Sequence, residues 1–157
     1  MENPFEFNGF TMTMLHPTLL PTAFQYIEPG LMEIQRKAKL DWDIMVIPTL
    51  IAANQATLTI MHRQHDGQER YAGFVVTQSV FLGVPSKHYL KVLAPYVELW
   101  VHQEGLDGVA VIDAFATEWA KALKCRGVIE TAARPGWIRR LEKLGYSTAE
   151  STMMKLF

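Results

Sequence analysis

"GLDGVAVIDAF", residues 105–115, carries two glycines three apart and runs directly into an apolar periodicity. Its reading decides the fold. Either this is a loop whose backbone amides receive an anion at a helix N-terminus, or it is a loop that only starts a helix. Val109, Ile112, Ala116, Trp119, Ala120 and Leu123 recur at helical spacing, which predicts a helix over 109–124 with Gly127 as its stop. Asp107 precedes that helix and belongs to the best N-cap residue types. Its oxygen can accept from the N–H two or three residues onward, and those are the donors an anion would need.

Working outward, "YVELWVH" (96–102) alternates and predicts a strand that places Glu98 and His102 on one face. Further upstream, "ATLTIMHRQ" (56–64) and "ERYAGFVVTQSVF" (69–81) flank His65-Asp66-Gly67-Gln68, a strong hairpin signal. Downstream, "GVIETAA" (127–133) predicts a short strand and Pro135-Gly136 a turn. "WIRRLEKLG" (137–145) predicts a two-turn helix and "TMMKLF" (152–157) a last strand. In the N-terminal third, "FEFNGFTMTML" (5–15) predicts a first strand. "LPTAFQYIEPGLMEIQRKAKLDWD" (20–43) follows as a helix interrupted at Pro29-Gly30. "WDIMVIPTLIAANQ" (42–55) reads as another short helix, with Asp43 as a cap. This order implies an α/β fold, a mixed central sheet flanked by helices on both faces.

With 157 residues, the chain is expected to form a single domain over 1–157. Fifteen basic residues against sixteen acidic ones leave a net charge of −1, which provides no general attraction to nucleic acid or to an anionic membrane. Cys125 is alone, so no internal disulfide forms, and this suits a reducing cytoplasm. Glu2 and Glu6 stand where a signal peptide would be basic, and no apolar run approaches the ~18 residues of a membrane span. A soluble cytoplasmic protein is expected.

That order of elements, with its motifs, resembles the GCN5-related N-acetyltransferase (GNAT) family of acyl-CoA N-acyltransferases. "VHQEGLDGVAVIDAFATEWAKALKCRG" (101–127) is similar to the family's strand, pyrophosphate loop and following helix. "RRLEKLGY" (139–146) looks like its closing helix, and "ATLTIMHRQHDGQERYAGFVV" (56–76) like its central hairpin. The resemblance covers roughly 40–157. With "RPGW" (134–137) before the last helix, it is most similar to GNAT-like proteins encoded by tailed bacteriophages. Fold alone does not supply function.

The resemblance implies acetyl-CoA as cofactor, bound along Val101, Gly105, Leu106, Asp107, Gly108, Val109 and Ala110. The family's loop reads Arg or Gln, two residues, Gly, one residue, then Gly or Ala. Gly108 and Ala110 match, but Gly105 stands in place of the Arg or Gln. Asp107 adds a carboxylate, and two like charges ~5 Å apart cost about 3 kcal/mol at an effective dielectric near 20. The family often uses a Tyr of the last helix as general acid, and here Leu141 falls on that position. Tyr146 falls on the closing aromatic position, a packing role.

Glu98 and His102 are the candidate catalytic bases toward an amine, against the alternative of a polar strand face turned to solvent. His62 and His65, three apart, do not share a strand face, so no metal is expected. Cys125 beside Arg126 reads as a small buried residue, although the arginine would lower its pKa. Arg134, Arg139, Arg140 and Lys143 make a basic patch around Trp137, either an interface or a solvated face offset by Glu142. Three functions therefore stand open. The first is a GNAT-fold protein with an eroded catalytic motif that works through protein–protein contacts or as a homo-oligomer, in a bacteriophage virion. The second is an active acetyl-CoA-dependent N-acetyltransferase, and the third, more distant, is a nucleic-acid binder.

Overall fold

The computed structural model describes residues 1–38, 40, 42–130 and 135–147. Six strands form one sheet in sequential order. Strands β1 (Phe5–Phe7), β2 (Phe10–Met14), β3 (Thr57–His65), β4 (Gln68–Leu82) and β5 (Lys87–Val97) are antiparallel neighbours, and β6 (Val128–Glu130) pairs parallel with β5. The helices are α1 (Leu20–Ala38), α2 (Val46–Ala52), α3 (Leu99–Gln103), α4 (Gly108–Ala122) and α5 (Pro135–Lys143), with a 3-10 turn at Pro17–Leu19.

The sheet separates two cores because successive side chains of a strand point to opposite faces. Val75 joins Phe10, Met12, Leu90, Val92, Ile112 and Phe115 under α4. Its neighbour Val76 joins Ile27, Leu31, Ile47, Leu58, Phe74 and Ala94 under α1 and α2. Helices therefore flank both faces, as expected for the α/β class.

Two hairpins turn on paired left-handed residues, Asn8-Gly9 (φ 49° and 79°) and Asp66-Gly67 (φ 51° and 76°). The second lies where the sequence places it. The first splits the expected single strand 5–15 into β1 and β2. A larger departure is β5, whose eleven residues precede and only partly overlap the expected strand 96–102. The register of β4 on β5 slips between Val76↔Ala94 and Thr77↔Val92, so Leu93 is the extra residue of a bulge.

The expected break at Pro29-Gly30 does not occur, and α1 runs through both residues. Pro29 faces solvent, while Gly30 is buried against β4 and β5. A Cβ on Gly30 would lie 2.6 Å from Phe74 Cε1 and 2.8 Å from Tyr96 Cδ1. The glycine is there for close approach, not for a break. The α1–α2 connection is held by Gln35, whose Oε1 accepts from Ile44 N at 2.7 Å and whose Nε2 donates to the Trp42 carbonyl at 3.2 Å. Asp43 caps the turn before α2, accepting from Met45 N at 2.9 Å.

At the end of α4, Lys124 (φ 58°) takes the left-handed position expected of Gly127. Pro135 and Gly136 open α5 instead of forming a separate turn. The expected closing strand 152–157, Arg134 and the end of "GVIETAA" lie outside the described residues.

Candidate functional site

The site is built where β5 ends. Val97 pairs with Gly73, and the next amide, Glu98 N, donates to the Ala72 carbonyl at 2.8 Å. The chain then turns into α3. Glu98 and His102 thus do not share a strand face: Glu98 caps α3 and His102 lies in its last turn. Apolar spacing in "YVELWVH" suits a strand or a short helix equally, and the strand partner of β4 was already supplied upstream. Val101 is fully buried against the α4-side core, so it is a packing residue of α3. β6 pairs with β5 upstream of that stretch, from Leu90↔Val128 to Val92↔Glu130.

The loop after α3 closes on itself. Leu106 N donates to the Val101 carbonyl at 3.0 Å, and Gly105 takes φ 72°. Asp107 is the N-cap of α4, its Oδ1 accepting from Ala110 N at 3.0 Å. Gly108 and Val109 are buried. A Cβ on Gly108 would lie 2.6 Å from Val97 Cγ1, so the helix start rests directly on the end of β5. Of the first-turn amides that an α-helix leaves without an intrahelical partner, that of Ala110 is already bonded to a carboxylate. A pyrophosphate would meet this fixed negative charge at the positive end of the helix. The loop has the backbone shape of an anion site, and its charge does not fit one.

A titratable cluster that the sequence reading missed surrounds Glu98. The Tyr96 hydroxyl donates to Glu98 Oε2 at 3.4 Å. Burial, then the charge of Glu98, pushes the Tyr96 phenol up to about 12. Tyr71 on β4 is raised further, by burial first and then by Glu98 and Tyr96, and its hydroxyl is buried with no hydrogen-bond partner among the described residues. Both phenols stay protonated near neutral pH, and that of Tyr96 acts as a donor, not a base. The Tyr26 ring of α1 lies tilted, 5.7 Å from that of Tyr71, and His62 stands 6.3 Å away edge-on. Tyr96 and Glu98 are two apart in the quoted stretch, so strand parity alone would have put them on one face.

Next to this cluster, Trp100 Nε1 donates to the Tyr71 carbonyl at 2.9 Å and Arg70 covers its ring at 4.3 Å. His65 Nε2 lies 3.7 Å from Glu104 Oε1. Together these contacts fasten α3 to the Asp66-Gly67 hairpin.

Leu141 is 5% exposed and part of the fold, so no acid group stands at that position. The Tyr146 hydroxyl donates to Asp113 Oδ1 at 2.7 Å, tying the end of α5 to α4. Burial, then this bond, raises its pKa. Cys125 is half-buried, not buried, and burial pushes its thiol up where the neighbouring Arg126 was expected to lower it. Trp137 is half-buried against the α4-side core and donates to Glu130 Oε1 at 2.5 Å, so its indole is turned inward, while Arg139 and Arg140 are exposed. Among the described residues no group of three acidic, histidine or cysteine side chains is placed to hold a metal, and no helix is long and apolar enough to cross a membrane.

No family model matches the sequence, and no curated protein does. Solved structures do match. A ribosomal-protein-alanine N-acetyltransferase from Brucella melitensis biovar Abortus 2308 superposes with a TM-score of 0.66 at 21% identity, covering 94% of this chain and 99% of that one. A predicted acetyltransferase from Clostridium acetobutylicum, solved with acetyl-CoA, gives 0.66 at 10% identity over 94% and 96%. Glucosamine-6-phosphate N-acetyltransferase from Arabidopsis thaliana gives 0.59 at 16% identity over 94% and 98%. At such identities the likeness is one of fold. The chain has the GNAT acetyltransferase fold, a curled mixed sheet of six strands between two layers of helices.

Proposed function

We propose that this chain uses the GNAT fold as a scaffold for protein contacts and not for acetyl transfer. The setting is a bacteriophage particle, the one its sequence rhythm implies. The observation that carries the reading is the bond from Ala110 N to Asp107 Oδ1, which gives the loop its own anion. The buried Leu141 adds to it, because a departing thiolate would find no proton donor there.

The contact surface lies on the outer side of the N-terminal helices. In that third of the chain Leu19, Tyr26, Met32, Trp42 and Val46 are each between 39% and 52% exposed. Trp42, Met32 and Met45 also line a surface depression with Leu40 and Gln35. The α5 patch with Arg139 and Arg140 sits over the other core, so it forms a separate surface.

Calorimetry with acetyl-CoA, together with an acetyl-transfer assay on a panel of primary amines, tests this reading. Binding weaker than micromolar and no transfer are expected, as is a stable complex with a purified particle component. Tight binding with transfer to an amine overturns it.

One observation favours a second reading, the acetyl-CoA-dependent N-acetyltransferase. Glu98 sits beside two protonated phenols at the end of β5, an arrangement in which the carboxylate accepts an amine's proton while Tyr96 orients it. His102, in the last turn of α3, is the other candidate base.

A further inference from the structure

The hairpin of β4 and β5 reaches past the rest of the sheet. β3 pairs with β4 only as far as Thr57↔Thr77, whereas β4 goes on to Leu82 with β5 as its only strand partner among the described residues. On the other side β6 pairs with β5 only from Leu90, although Arg126 N donates to the His88 carbonyl. Residues Gln78, Ser79, Val80, Phe81 and Leu82 therefore present a backbone edge that faces no strand among the described residues.

Natural proteins guard such edges with charge, proline or a bulge, since an unguarded edge pairs with another extended chain. None of these five residues is charged or proline, and the bulge at Leu93 lies before the ribbon starts. The nearest cations, Lys87 and Lys91, stand one strand away, on β5. Exposure is concentrated here: Phe81 is 68%, Leu82 47% and Val84 103% exposed, and the Phe81 ring stacks on His88 at 4.6 Å.

We infer that this edge pairs antiparallel with the same edge of a second copy of the chain, joining two sheets into one. The partner has to be an extended strand, because backbone amides and carbonyls are what the edge offers. A second copy supplies one of equal length, without charge to oppose it, and a two-fold axis is the commonest symmetry of such pairs. Full overlap of residues 78–82 centres the axis on Val80, which then faces its own counterpart across the interface. The inference is independent of the proposed function, because it rests on neither the loop nor the α1–α2 surface.

Light scattering after size exclusion on the full chain, over a range of concentrations, tests it. A concentration-dependent dimer is expected. Val80→Lys and Val80→Glu, each alone, put like charges face to face and should give monomers. An equal mixture of the two should restore a dimer of one copy each. Should Val80→Lys lower the melting temperature, Phe81→Lys, at a position already open to solvent, provides the same loss of dimer. A chain that stays monomeric at every concentration overturns the inference, as does a dimer that survives both charge substitutions.

Discussion

Tyr146 and Asp113 meet at 2.7 Å, and that single bond couples the last described turn of the chain to the second turn of α4. A hydrogen bond to a charged acceptor contributes about 1.5–3 kcal/mol where both groups are shielded. Tyr146→Phe is therefore expected to lower stability by about 1–2 kcal/mol, since the pair is only partly buried. Urea titration of the two proteins measures this. An unchanged midpoint would mean that Leu141 and Trp137 hold α5 without it.

Alkaline pH should undo the fold through its phenols. Tyr71, Tyr96 and Tyr146 all have folded pKa values above the ordinary 10.0, so each binds its proton more tightly when folded. Their contribution is complete below pH about 10 and falls as pH rises from there through 12 and beyond. Unfolding at fixed urea concentration should accelerate over that range. Tyrosinate absorbance should show these phenols ionising together with loss of structure, not before it.

Asp107 separates capping from cofactor repulsion. Asp107→Asn keeps an oxygen for Ala110 N and removes the charge. Because the side chain is exposed, solvent screening reduces the ~3 kcal/mol repulsion to about 1 kcal/mol, a roughly fivefold gain in acetyl-CoA affinity. Asp107→Ala should also improve binding while costing the helix about 1 kcal/mol. Calorimetry and melting curves, read together, check both. Equal affinity in all three proteins would remove Asp107 from the account.

Gly30→Ala sets two effects against each other. Alanine improves helix propensity by about 1 kcal/mol. Its Cβ, however, would press on Phe74 and Tyr96, and Phe74 has no exposed surface toward which to retreat. Overpacking of this kind costs about 1–3 kcal/mol, so a net loss is expected. A more stable variant would mean that α1 can lift from the sheet without penalty.

The exposed apolar side chains of the N-terminal helices should matter for association and not for folding. Trp42→Ser with Met32→Ser is expected to leave stability within about 0.5 kcal/mol, the ordinary range for surface positions. The same double variant should lose the complex with a purified particle component. If the melting temperature falls sharply instead, those side chains belong to the core.

The sequence made the fold class legible through a few local signals. Asp66-Gly67 marks the central hairpin, and the spacing from Val109 to Leu123 marks α4. The same kind of signal at Asn8-Gly9 is masked by an alternation that continues through it. β5 was hidden because Lys87, Lys91 and Pro95 make it look like a loop, whereas Leu90, Val92 and Ala94 carry its inward faces. The cap role of Asp107 was readable from residue type alone. The cluster around Glu98 was not, because Tyr71 reaches it from another strand, and only the register of β4 on β5 brings the two together.

The sequential order of the strands has a consequence for how the chain acquires its shape. From β1 to β5 every strand is bonded to the one made just before it, so each pairing can form as soon as its second member exists. Two pairings of the described strands span helices: β3 reaches β2 across α1 and α2, and β6 reaches β5 across α3 and α4. Long-range pairing pays its loop entropy before any contact rewards it, and it is slow for that reason. The β1–β2 hairpin and the β3–β4–β5 meander, joined by short turns, should therefore be protected from hydrogen exchange before either of those pairings is. α4 packs on β1, β4 and β5, so it can dock before β6 arrives, and β6 is the last of the described strands to find its place.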